Sequence, residues 1–334
     1  MDRVVLYGLG GIFRGYEGIF RGLQKDKKIK IIGAIDRRLQ EGMKFHNYNI
    51  LSVSEVVHMD IDYVIITAQD PVAKEIYADL CAAGVNKDKI VSVYCYTPVK
   101  EMVDSIINVQ LPIQLDVIKN ILSASDQEVA SFDWMRKVVG RYGIYPLLDE
   151  DMDGIDDAIV TVMGMQQRPD EFTKYCTYLS NWNIETAIEV GVFRGKTSYF
   201  MCALLARKNP NLVYDLVDIA DNLDNFEEFH DILPQLRKRI PSTSEDYVGN
   251  SYDFVFIDAD HSYDASMRDY MNLGQYAKKL TVFHDIYAHE YDRLNGGTVR
   301  TWKEVVDMTP EHRHHIFSEY PNQLMGIGVL ENVR

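Results

Sequence analysis

The segment Ile184-Glu-Thr-Ala-Ile-Glu-Val-Gly-Val-Phe-Arg-Gly-Lys-Thr-Ser198 narrows most sharply what this chain can fold into. A β-branched run ends in a glycine turn and a helical pattern opens at Lys196, the strand–turn–helix unit of a parallel α/β layer. Glycines at 191 and 195 let backbone approach a ligand closely. The helix from Lys196 offers unpaired N–H groups and a positive dipole end to an anionic group such as a carboxylate. Glu189 can accept from a cationic or hydroxyl-bearing ligand. Three residues separate the glycines of Gly191-Val-Phe-Arg-Gly-Lys-Thr197, one fewer than a phosphate-wrapping P-loop uses, so ATP or GTP is not expected there.

More strands follow at Val213–Val217, Phe254–Asp258 and Leu280–His284, with an antiparallel pair near His315–Ser318 and Gly326–Leu330 and a weak strand near Arg239–Ile240. Helices are expected over Lys196–Lys208, Phe226–Arg239 and Tyr263–Lys278. Upstream, Arg3–Tyr7, Lys30–Ile35, Tyr63–Thr67 and Ile90–Tyr94 read as strands, with helices starting near Phe13 and Pro71. Between the two units, Val99–Arg168 loses its strand signals and turns helical. The expected architecture is α/β: two Rossmann-like three-layer α/β/α domains, residues 1–98 and 169–334, joined by a helical connector over 99–168.

Composition excludes several functions. A formal net charge of −15 with scattered Lys and Arg lacks the basic stripe that nucleic acid needs. No apolar run reaches membrane-spanning length, and the chain enters a strand at Val4 without a leader. Cys81, Cys95, Cys176 and Cys202 show no metal-type spacing and sit in apolar contexts. A cytoplasmic protein is expected, with neither membrane nor nucleic acid as partner; the connector helices leave a homo-oligomer open.

Two motifs are partial. Gly8-Leu-Gly-Gly-Ile-Phe-Arg-Gly15 opens like a dinucleotide turn, and Asp36 ends the second strand where a ribose-binding acid would sit, but Phe13 replaces the third glycine, where its ring would crowd the helix–strand contact. Asp149-Glu-Asp-Met-Asp-Gly-Ile-Asp-Asp157 begins like a calcium loop. Val160 stands where its bidentate Glu belongs, so a solvated acidic loop is expected instead.

The ordered series E-V-G-V-F-R-G-K-T-S, L-V-D, Y-D-F-V-F-I-D-A-D-H-S-Y and F-H-D resembles the class I S-adenosylmethionine-dependent methyltransferases. Within them it is most similar to metal-dependent sugar and macrolide-sugar O-methyltransferases and the cephalosporin-hydroxylase-like group. About 165 residues carry the resemblance. It implies a class I sheet closed by an antiparallel hairpin and a methyl donor cradled by Glu189, Gly191, Phe193, Gly195, Thr197 and Ser198, with Asp218 on its ribose. It also implies a divalent metal, Mg2+, on Asp258 and Asp285, and a small sugar-containing acceptor. Two carboxylates ending adjacent parallel strands would converge on one cation. His261, on the turn after Asp258, is placed as general base, with Asp260 to orient it.

Plainer readings stand beside these. Asp258 and Asp285 could cap helices. His284 could be a ligand, a second base or a packed core group. His312-Arg-His-His315 precedes an edge strand and is not expected to hold metal. Tyr199, Phe200, Met201, Leu204 and Leu205 read as helix core. The adenine-contacting acid is hard to place, with Ser242-Thr-Ser-Glu-Asp246 its best candidate, and Glu171, Glu189 and Asp260 compete as third metal ligand. Two other functions stay open: an NAD-linked oxidoreductase site in the N-terminal unit, or a non-catalytic module binding sugar nucleotide or a partner. The acceptor pocket is expected from Val99–Arg168 and Ala288–Thr298.

Overall fold

The computed structural model describes residues 1–68, 72–144, 164–321 and 325–332. The calcium-like run Asp149–Asp157 lies outside them. Two compact units result: Met1–Gln110, and a second over 111–144 with 164–332.

In the first unit the chain runs β1 (Asp2–Tyr7), α1 (Gly11–Lys25), β2 (Ile29–Ile35), a short hairpin β3 (Lys44–Phe45) and β4 (Tyr48–Asn49), α2 (Val53–Val57), β5 (Tyr63–Ile66), α3 (Val72–Ala83) and β6 (Ile90–Ser92). The main sheet is parallel, ordered β2-β1-β5-β6. Its period-two pattern splits the core cleanly: Val4 and Leu6 pack with Phe13, Ile19 and Phe20 on one face, Val5 and Tyr7 with Ile76 and Leu80 on the other. Phe13 does not crowd the helix–strand contact. Its ring is fully buried and meets Tyr48 and Phe45 edge-on, at centroid distances of 5.7 and 6.4 Å, so the unforeseen hairpin is what accommodates it.

A 27-residue helix, α4 (Thr97–Ser123), runs on to α5 (Asp126–Val129), α6 (Phe132–Tyr142) and α7 (Pro169–Leu179). The second unit continues as β7 (Thr186–Val190), α8 (Lys196–Lys208), β8 (Val213–Val217), α9 (Phe226–His230), β9 (Leu236–Arg239), β10 (Phe254–Ile257), α10 (Tyr263–Asn272), β11 (Leu280–Phe283), α11 (Gly297–Met308), β12 (Arg313–Phe317) and β13 (Ile327–Glu331). Strand order is β12-β13-β11-β10-β7-β8-β9, parallel except for β13, which runs against both its neighbours. Ala187, Tyr214, Leu216, Phe254, Phe256 and Val282 face one layer, Ile188, Val190, Val255, Ile257 and Phe283 the other. Each buried Val, Leu, Ile or Phe side chain among them contributes about 1.5–3 kcal/mol.

Two helices are shorter than periodicity suggests. Phe226–Arg239 is not one helix: α9 stops at His230, Pro234 cannot continue it, and Leu236–Arg239 pairs with β8 as the edge strand. Only Leu236 of β9 is buried, so the strand carries no alternation to read. The helix from Tyr263 ends at Asn272, and a 3₁₀ turn over Gly274–Tyr276 replaces its last part. A Cβ on Gly274 would lie 2.6 Å from the Tyr270 ring and 2.9 Å from Thr281, so that turn presses directly on α10 and β11.

Candidate active site

From β7 the chain steps outward through β8 to β9, then returns to β10 on the other side of β7. Ligand crevices of open parallel sheets form at such a reversal, outside the carboxyl ends of the strands. Four strand ends, those of β7, β8, β10 and β11, deliver the candidate residues there.

The glycine turn after β7 is held by protein on both sides. Gly191 (φ +89°) donates its N–H to Val217 O at 2.9 Å, and a Cβ on it would overlap the Asp258 carbonyl oxygen. Gly195 (φ +78°) is the left-handed N-cap of α8, and its Cβ would lie 2.6 Å from the Tyr199 ring. Both glycines therefore answer to close packing by this chain's own atoms, rather than to a gap left for ligand. No side chain caps α8, so its first N–H groups stay available to a ligand. Lys196 turns away into the core, donating to Gln114 Oε1 at 3.0 Å, and burial pushes its pKa down to about 8. That removes any phosphate-gripping role which Gly-Lys-Thr suggests.

Asp218, just beyond β8, bridges the turn. Its Oδ2 accepts the N–H groups of Val192 (3.1 Å) and Phe193 (2.9 Å), and its Oδ1 accepts that of Ala220 (3.2 Å). Phe193 sits at φ +45° with an exposed ring. Thr197 is half-buried and Ser198 buried. Glu189 is 1% exposed and accepts the Tyr214 hydroxyl at 2.8 Å. Burial raises its pKa to about 8, with the Tyr214 and Ser198 hydroxyls pulling the other way, so near neutrality it is largely a neutral acid.

At the ends of β10 and β11, Asp258, His284 and Asp285 bring one ligand atom each within 4.8 Å of one another. His284 Nδ1 lies 3.1 Å from Asp258 Oδ1 and 3.5 Å from Asp285 Oδ1. Burial disfavours its imidazolium, yet the two carboxylates override this and raise its pKa to about 10. Its Nε2 is buried without a hydrogen-bond partner. Asp285 stands at φ +60°, a left-handed position that Thr298 holds by donating its hydroxyl to Asp285 O at 2.7 Å. Neither Asp258 nor Asp285 begins a helix, so capping does not explain them. The donor set fits a divalent cation: two hard carboxylate oxygens suit Mg2+, and the imidazole widens the choice to Mn2+.

His261 Nδ1 is 3.4 Å from Asp285 Oδ2, and its ring stacks on Tyr291 at 4.4 Å. Asp260 does not orient it, because Asp260 Oδ1 accepts the Ser262 N–H at 2.8 Å. Glu171 is fully buried and its two oxygens accept the Gly326 and Glu319 N–H groups at 3.1 and 3.3 Å, so it ties those two residues to α7. His284, rather than Glu171, Glu189 or Asp260, completes the acidic cluster. Asp246 caps its own turn by accepting the Thr243 N–H, which engages the expected adenine-side acid. His312, His314 and His315 go separately to Glu311, Thr309 and Glu331. Tyr291, Thr298 and Tyr214 escape a sequence reading, since their contacts exist only once distant segments meet.

The buried groups set a pH dependence. Glu189 (about 8) and Glu171 (about 7) both lie above the ordinary 4.5, so the fold binds more protons than the unfolded chain and loses stability as pH climbs from 4.5 through those values. His284 adds stability that is fully present below 6.5 and is lost as pH rises through about 10. These three groups therefore favour the metal-free fold in mild acid over mild base. Glu189→Gln should match wild type in urea melts near pH 5 and surpass it near pH 8, by up to about 1.4 kcal/mol per pH unit crossed; parallel curves would refute the assignment.

The family model of a methyltransferase domain matches residues 188–286. With the strand order and the reversed β13, this makes the second unit a class I methyltransferase, and the protein an enzyme of that kind. Residues 1–91 match the N-terminal domain of C2185-like proteins. Among solved structures the chain is similar to the O-methyltransferase TomG from Streptomyces achromogenes, solved with S-adenosylmethionine (11% identity, 47% of this chain and 77% of that one, TM-score 0.36). Others are a SAM-dependent O-methyltransferase from Thermotoga maritima (14%, 53% and 71%, TM-score 0.36) and an O-methyltransferase from Bacillus cereus in complex with S-adenosylhomocysteine (12%, 69% and 100%, TM-score 0.35). These superpositions are loose, and the class rests on the topology and the domain match. No curated protein matches the chain. Among the described residues, no helix is long and apolar enough to cross a membrane.

Proposed function

We propose that the protein is an S-adenosylmethionine-dependent O-methyltransferase, assisted by a divalent cation, that methylates a hydroxyl of a sugar or sugar-containing metabolite. The observation that carries this is the convergence of Asp258, His284 and Asp285 beside the Asp218-braced glycine turn, with His261 at the rim. When bound, S-adenosylmethionine supplies a methyl group on a sulfonium, and a cation held by Asp258, Asp285 and His284 supplies charge that favours ionisation of an acceptor hydroxyl. The chain does the rest. Asp218 accepts from ribose hydroxyls, and the open N–H groups of α8 receive the carboxylate. His261, whose side chain is 25% exposed against 4% for His284, takes the acceptor's proton. The donor would give its methyl carbon to the acceptor oxygen, keep the C–S bonding electrons on sulfur and leave as S-adenosylhomocysteine. In this reading residues 1–98 form the Rossmann-like domain, 99–168 the connector and 169–334 the catalytic domain.

Isothermal titration tests the donor half. One S-adenosylmethionine should bind per chain, and Asp218→Ala should weaken it on the order of a hundredfold, since two hydrogen bonds to a charged group are lost. Folded protein that takes up no donor would end the reading.

A further inference from the structure

The first unit has its own crevice. Its parallel sheet reverses at β1, with β2 on one side and β5 on the other, and a cavity of about 250 Å3 lies at that strand's carboxyl end. Leu9 follows β1, Arg38 and Leu39 follow β2, Arg14 belongs to the first turn of α1, and Phe45 comes from β3; these five residues line it. In a chain of net charge −15, two arginines face this one cavity; Arg38 is paired with Asp36, so Arg14 carries the net positive charge among the lining residues.

Asp36 holds one of the two arginines. It is 6% exposed and accepts Leu9 N–H at 2.8 Å, Arg38 N–H at 2.9 Å, and the Arg38 guanidinium at 2.9 and 2.8 Å, while the Arg38 side chain itself is 70% exposed. A carboxylate so engaged does not wait for a ribose; it fixes Arg38 over the glycine turn, with Nη2 3.8 Å from where a Gly10 Cβ would stand. Gly11 has nothing within 4 Å of its own Cβ position, so backbone there is open to close approach. Gly10 caps the 15-residue α1 without a side-chain bond, which adds N–H donors to the two guanidinium groups. Leu9, Leu39 and Phe45 supply an apolar wall.

Size and topology choose among phosphate ligands. Four strands make one mononucleotide-binding half, whereas a dinucleotide occupies two such halves. The volume falls below the roughly 300–1,000 Å3 of sites that enclose a drug-sized ligand, so the crevice encloses a diphosphate and only part of what is attached to it. We infer that this crevice binds a nucleoside diphosphate, free or as the nucleotide end of a nucleotide sugar, with its diphosphate on Arg14, Arg38 and the start of α1.

Titrations of the full chain saturated with S-adenosylhomocysteine keep the other adenosine site occupied, so this inference and the methyltransferase reading fail separately. ADP, UDP, UDP-glucose, NADP+, uridine and pyrophosphate are the probes. At least one diphosphate should bind at micromolar concentration, uridine about tenfold or more weaker, and Arg14→Gln and Arg38→Lys should each weaken it about tenfold or more. Similar affinities for UDP and UDP-glucose mean that the free diphosphate suffices; preference for UDP-glucose identifies the nucleotide sugar. Arg14 is exposed, so its variant should fold normally, as near-ultraviolet circular dichroism verifies. Absent binding at millimolar concentration, an Arg14→Gln affinity equal to wild type, pyrophosphate binding as tightly as the nucleotides, or tighter binding of NADP+ would each overturn the inference.

Discussion

Asp258→Asn should lower turnover on the order of 10²–10⁴-fold while changing the dissociation constant for S-adenosylhomocysteine less than about threefold. The substitution keeps the side chain's shape and removes one of the two charges around His284, whose Nδ1 is 3.1 Å from Asp258. Asp218 and the glycine turn, which hold the donor in the proposed mechanism, keep their own bonds. Single-turnover assays with and without chelator complete the test. Wild type stripped of divalent ions should fall to a similar level and recover with Mg2+ or Mn2+. Full activity in chelator, or an active Asp258→Asn, would remove the cation from the mechanism.

Gly191→Ala should cost about 2–5 kcal/mol, enough to unfold a marginal domain, through overpacking and left-handed strain acting together. The added methyl meets the Asp258 carbonyl, 2.5 Å from its carbon, and neither strand end can retreat: Gly191 N–H is bonded to Val217 O and Asp258 N–H to Val190 O, both at 2.9 Å. Urea midpoints measure it. A variant with an unchanged midpoint would show that the β7 and β10 ends can part and that the crevice is not rigid there.

Much of this was legible in one dimension. The runs at 186–190, 213–217, 254–257 and 280–283 are buried strands, partly exposed only at Thr186 and Val213, and the acids that follow three of them, Asp218, Asp258 and Asp285, come out on one side of the sheet because parallel strands end there. Charged edge strand β9 was nearly invisible, since one buried residue leaves no pattern. Asp36 illustrates a subtler limit: its position at a strand end is readable, but its commitment to Arg38 depends on a side chain folding back, so an expected ribose acceptor becomes the anchor of a cation. Glu171 and Glu189 likewise read as ligands because they are acidic, and burial with backbone or hydroxyl donors makes them largely internal supports.

By itself the sequence determined the layer type, the strand-end acids and the exclusion of a P-loop by one missing residue, which follow from local periodicity and spacing, while the class of chemistry came from the resemblance of its motif series to methyltransferases. Only the tertiary structure decided that His284 joins Asp258 in the acidic cluster, that Tyr291 and Asp285 position His261, and that Gly191 is required by the Asp258 carbonyl. These are contacts between segments tens of residues apart, set by packing density and by which partners remain when water is excluded, and no window of sequence contains them.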